Sequence, residues 1–83
     1  LNKFVEKLID YDNLHSSAKK LANCEDIQGE LKDFFNNFDI NILILQNKIL
    51  YGMICEINIV EANILKISLE QMLFGQVMEI AYF

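Results

Sequence analysis

The stretch LILQNKILYGMICEINIVEANILKISL spans residues 43–69 and holds a lone glycine, Gly52, inside the longest apolar run of the chain. Its Ile-rich segments are short and bounded by polar residues, which reads as strands. Residues 40–45 (INILIL) form a first expected strand, apolar on both faces and so covered on both sides. Gln46-Asn47-Lys48 is then a turn, and residues 49–60 a second, long strand. Glu61-Ala62-Asn63 turns again. Leu65, Ile67 and Leu69 alternate with Lys66, Ser68 and Glu70 as a half-buried third strand. A glycine inside a strand marks a bend, a bulge or a close backbone approach. Gly52 is therefore expected to bend an overlong strand, as small barrels require. The alternative is a glycine facing a bulky neighbour in a flat sheet.

C-terminal to this stretch, Met72–Phe74 reads as a short strand, Gly75-Gln76 as a turn, and Val77–Phe83 as a last strand. A helix over 68–82 also fits, because Leu69, Met72, Leu73, Gln76, Val77 and Ile80 share one helical face. N-terminal to it, the period is helical. Leu1, Phe4, Val5, Leu8 and Ile9 lie on one face of a first helix. Asp10, Asp12 and Asn13 offer a stop and a new N-cap. Leu14, Ala18, Leu21 and Ala22 form a second stripe; Ile27, Leu31, Phe34, Phe35 and Phe38 form a third. The stripe jumps between Ala22 and Ile27, so a break is expected at Asn23-Cys24-Glu25-Asp26, and Asn36-Asn37 reads as a helix end. The expected fold is α+β in one domain, residues 1–83. A helical part, 1–38, precedes a bent antiparallel β-meander, 39–83, shaped as a small SH3- or Sm-like barrel.

With 83 residues, 53% of them hydrophobic, a small core cannot cover every apolar face, and the surplus points to a partner. No uninterrupted apolar run is long enough to span a bilayer, and no signal peptide is visible. The chain opens on Leu1, as a fragment or processed chain would. The net charge is −5, and all seven basic residues are lysines. Without arginine or a basic patch, nucleic acid is an unfavoured partner. An anionic membrane is unfavoured too. Cys24 and Cys55 form no disulfide framework and suit the reducing cytoplasm.

The residues of the apolar half resemble a known family. Asn47, Ile49-Leu50-Tyr51-Gly52, Ile54, Ile57, Asn58, Asn63 and Ile67 are similar to the first motif of Sm and LSm small β-barrels. Leu73-Phe74-Gly75-Gln76-Val77 resembles the second. The resemblance covers residues 40–83. It implies a small barrel and, from the family's RNA contacts, a binding site around Asn47, Asn63 and Lys48. Asn58 stands where the family has Asp, Asn63 is displaced by one, and Phe74 stands where the family has Arg. The resemblance therefore implies a protein-binding or ring-forming variant more than an RNA binder. The same hairpin also looks like the surface-presentation domain of secretion and flagellar rings, whose opening strand has no counterpart here.

No constellation for catalysis is visible. His15, the single histidine, lies beside Ser16 and Ser17 and reads as a capping or solvated residue. His15, Cys24 and Cys55 lack metal-ligand spacing. Glu56, Glu61, Glu70 and Glu79 read as solvated carboxylates. The three glycines are dispersed, so no phosphate loop exists. Phe34, Phe35 and Phe38 read as core, with a partner groove as the rival. The expected function is a non-enzymatic protein-interaction or oligomerisation module, without cofactor or metal. Its partner is another protein or a second copy. Leu43, Leu45, Tyr51, Tyr82 and Phe83 are the expected contacts, and Gly52 and Gly75 the structural bends. An Sm-like RNA binder and a small-ligand sensory domain with a pocket between helices and sheet are the alternatives.

Overall fold

A computed structural model describes the backbone of residues 2–81 and the side chains of residues 2–74. Among the described residues there are five α-helices and no strand: α1 (Lys3–Leu8), α2 (Tyr11–Lys20), α3 (Gln28–Asn36), α4 (Phe38–Leu50) and α5 (Ile59–Ala81). Short 3₁₀ turns, Glu25–Ile27 and Ile54–Glu56, lead into α3 and lie between α4 and α5. The expected α+β fold and the barrel implied by the Sm/LSm resemblance are thus overturned. Of the segments read as strands, 40–45 lies within α4, 49–60 runs from the end of α4 through the Gly52 turn into α5, and 65–70, 72–74 and 77–81 lie within α5; Tyr82 and Phe83 are outside the described residues.

Local chemistry explains the helices. Asn2 caps α1 by accepting from the Phe4 amide at 2.7 Å. Asp10 caps α2 by accepting from the Asn13 amide at 3.1 Å. The α2 stripe ends at Leu21, and Ile27 opens the next buried run. In α4, Ile42 and Leu45 are fully buried, with Phe38 and Ile49 packed beside them at helical spacing. In α5, Val60, Glu61, Ile64 and Ser68 face inward. A period of four, not two, organises both segments.

Gly52 ends α4. Its φ of +69° lies in the left-handed region that glycine enters without penalty. The Met53 amide donates to Lys48 O at 2.7 Å and the Gly52 amide to Ile49 O at 3.2 Å. This is a Schellman closure, which satisfies carbonyls the helix end leaves open. Gly52 does turn the chain, but between two helices rather than within a strand. Gly75 is not a turn; its backbone lies within α5.

The α5 helix packs on α1, α2 and α3, most extensively on α2, while α4 lies on α2 and α3. The core gathers Ile9, Leu14, Ala18, Leu21, Ile27, Leu31, Phe34, Ile42, Leu45, Val60 and Ile64. Polar groups are buried within this packing without loss. Ser17 and Ser68 are fully buried. Ser68 donates to Leu8 O at 2.6 Å and accepts from the Asn13 amide group at 2.7 Å. Gln71 Nε2 donates to Asn13 Oδ1 at 2.6 Å and to Ser17 Oγ at 2.9 Å. This network fixes α5 against α1 and α2, because its buried donors and acceptors find their partners across those helices.

Candidate functional site

One side of α4 packs the core and the opposite side faces out. Ile40, Leu43 and Ile44 are 60%, 49% and 42% exposed, and Leu50 and Tyr51 are 44% and 76% exposed. They recur at helical spacing around Asn47, which is also exposed. Ile54, in the turn after Gly52, is 71% exposed. The result is an apolar stripe along a 13-residue helix, broken only by an amide. Charged residues stay off it. Asp39 precedes it, and Lys48 is turned to one side by its ion pair.

That pair organises the end of the stripe. Lys48 Nζ lies 2.7 Å from Glu61 Oε1 and donates to Glu56 O at 3.0 Å. Glu61 is 2% exposed. The same Oε1 accepts from the Asn58 amide at 3.0 Å, while Asn58 Oδ1 accepts from the Glu61 amide at 2.8 Å. This is a capping box at the start of α5. Lys48 thus ties α4, the 54–56 turn and the α5 N-terminus together. Glu61 was expected to be solvated in a turn; it is instead the buried anchor of that junction.

Beside the stripe lies a cleft of about 510 Å³, between α3, α4 and the first turn of α5. Phe34, Ile44, Ile59 and Val60 give it apolar walls; Asn37, Asn41 and Asn58 line it with amides. Asn41 Nδ2 donates to Phe34 O at 2.8 Å, which closes the end of α3.

His15 stacks on Phe38, with ring centroids 4.2 Å apart, and its Nε2 is 3.8 Å from Asp39 Oδ1. Tyr11 donates its hydroxyl to the same carboxylate oxygen at 2.6 Å. That hydrogen bond, first among its causes, raises the Tyr11 pKa above 10.0. Phe34, Phe35 and Phe38 meet edge to face in the same cluster. Ser16 and Ser17 both donate to Asn13 O, so no serine hydroxyl is directed at His15. Among the described residues no three potential metal ligands converge. Cys24 and Cys55 are free thiols, the second exposed. No described helix is long and apolar enough to cross a membrane.

Of the expected contact residues, Leu43 and Tyr51 lie on the exposed stripe. Leu45 lies on the opposite side of α4, fully buried in the core. It has no surface to offer in this fold: residues two apart share a side of a strand, whereas a helix turns Leu43 and Leu45 to opposite sides. Tyr82 and Phe83 are outside the described residues. Asn47 and Lys48 are on α4, whereas Asn63, on α5, donates to Ile59 O within its own helix. Ile40, Ile44, Leu50 and Ile54 were missed as surface residues. A helical projection of 38–51 would have found all but Ile54. The chain matches no protein-family model and shows no significant similarity to a curated protein or a solved structure.

Proposed function

We propose that the chain is a non-enzymatic protein-interaction module whose docking surface is the outward face of α4. The observation that carries this reading is the uncharged stripe of Ile40, Leu43, Ile44, Leu50 and Tyr51, with Ile54 exposed in the turn beyond the helix. Exposed apolar side chains are common singly, but a contiguous row on one helix face marks an interaction surface. Taking roughly 200 Å² for a large apolar side chain, the row presents on the order of 700 Å². That is close to the roughly 800 Å² each partner contributes to a stable interface. Two free thiols suit a reducing compartment such as the cytoplasm.

The test is a Leu43→Lys/Tyr51→Lys double variant. A docking face is not needed for folding, so its unfolding free energy should stay within about 1 kcal/mol of wild type. Binding of an apolar fluorescent dye should fall sharply. A core-sized loss of about 2–5 kcal/mol would place these residues in the fold and remove the reading. A second reading rests on the cleft of about 510 Å³, which is large enough for a small amphipathic ligand. Native mass spectrometry would reveal it as a discrete added mass on the folded chain; a bare chain mass would count against it.

A further inference from the structure

The stripe on α4 has an internal symmetry. Around Asn47, the residues three positions away on either side are Ile44 and Leu50, and four away Leu43 and Tyr51; Ile40 extends the row by one turn toward the helix start, while Ile54 lies past the Gly52 turn and off the helix. All six are exposed and apolar, and the single polar residue is the one at the centre. A two-fold axis through Asn47 would lay a second α4 antiparallel on the first. It would set Ile44 against Leu50 and Leu43 against Tyr51 of the other copy.

We infer that the occupant of the α4 face is a second copy of this chain, docked antiparallel about a two-fold axis at Asn47. The inference rests on the proposal that this face is a docking surface and adds its partner and register. Three features favour a second copy. A two-fold interface needs a self-complementary patch, and the stripe is apolar on both sides of its centre. The two Asn47 amides can exchange hydrogen bonds across the axis, since each carries a donor and an acceptor. A lone asparagine in an apolar seam fixes register for the same reason. Finally, each copy carries a net charge of −5, so self-association requires a patch where like charges do not meet. In this register Lys48 falls opposite Gln46, so the lysine of one copy does not meet that of the other. Antiparallel helices also oppose their dipoles favourably.

The test is cysteine cross-linking in a Cys24→Ser/Cys55→Ser background, oxidised with copper phenanthroline. Asn47→Cys should form a disulfide dimer at least about tenfold faster than Ile40→Cys. A disulfide needs Cα atoms within about 7 Å. The two residues at 40 would stand fourteen positions apart along the pair, about 21 Å. Mixed Leu43→Cys and Tyr51→Cys chains should give the heterodimer in preference to either homodimer. Equal rates at 40 and 47, or a preference for 43–43 dimers, would mean a parallel or random encounter and overturn the register. Absence of any cross-link, with the mass fixed at 9.7 kDa, would overturn self-association. The docking face itself is judged separately, by the stability and dye binding of the Leu43→Lys/Tyr51→Lys variant. Moderate salt should strengthen the dimer by screening the −5 charges; weakening by salt would indicate that opposite charges hold the copies together and would also count against it.

Discussion

Replacing Lys48 by methionine removes the partner of a carboxylate that is 2% exposed. Breaking a buried pair from one side costs about 3–5 kcal/mol, because the remaining charge is left uncompensated. Here the lysine side chain is 18% exposed, so water reaches that side and the lower end, about 3 kcal/mol, is expected. Glu61 would keep only the Asn58 amide, and the 54–56 turn would lose its tie to α4. Glu61→Gln keeps the capping oxygen but strands the ammonium, which can partly reach solvent; about 2 kcal/mol is expected. The Lys48→Met/Glu61→Gln double variant leaves no unpaired charge. It should cost about 2 kcal/mol, well short of the sum, so the cycle gives a coupling of about 3 kcal/mol. Urea unfolding resolves this readily. With a slope near 1 kcal/mol per M for a chain this small, Lys48→Met should lower the midpoint by about 3 M. Additive single losses, or a Lys48→Met cost below about 0.5 kcal/mol, would refute the buried junction.

Gly52→Ala should cost about 1 kcal/mol, because a side chain is strained at φ +69°. Gly29→Ala, in α3 with nothing within 4 Å of the added carbon, should instead stabilise by about 0.5–1 kcal/mol; thermal unfolding of the pair gives both signs. Ser68→Ala should cost about 1–3 kcal/mol by leaving Leu8 O and the Asn13 amide without their buried partner, read by urea denaturation. In absorbance titration at 295 nm, the wild type minus Tyr11→Phe should show a phenol titrating above 10.0, and Asp39→Asn should bring it back down. The raised pKa means the Tyr11 hydrogen bond supports the fold below pH 10 and is lost as pH rises through the folded value.

The helices of the first half announce themselves because each buries one stripe and leaves the other side polar. Leu14, Ala18 and Leu21 face the core, while Asp12, Lys19 and Lys20 do not. The second half hides its period because α4 is apolar on two opposite sides: Ile42 and Leu45 go inward, Ile40, Leu43 and Ile44 outward. A segment apolar on both sides looks the same at a period of two as at 3.6. Its β-branched residues then favour a strand, a preference that tertiary packing overrode. Two signals did mark the helices. Asn58, followed three residues later by Glu61, is a capping box; Gly52 after Ile49-Leu50-Tyr51 is a helix stop. Read together, they place a helix end at 50–52 and a helix start at 58–59. The same apolar excess that blurred the fold is what pointed to a docking surface. The burial of Glu61 and the separation of Leu43 from Leu45 follow only once the helical period is known.

Light scattering across a hundredfold range of concentration, on wild type and Leu43→Lys/Tyr51→Lys side by side, comes first. With α4 as a self-docking face, the wild-type mass rises from 9.7 kDa toward twice that value, and the variant stays at the monomer mass throughout. Superimposed curves for the two proteins, whether monomeric or associated, would show that the outward face of α4 holds no second copy.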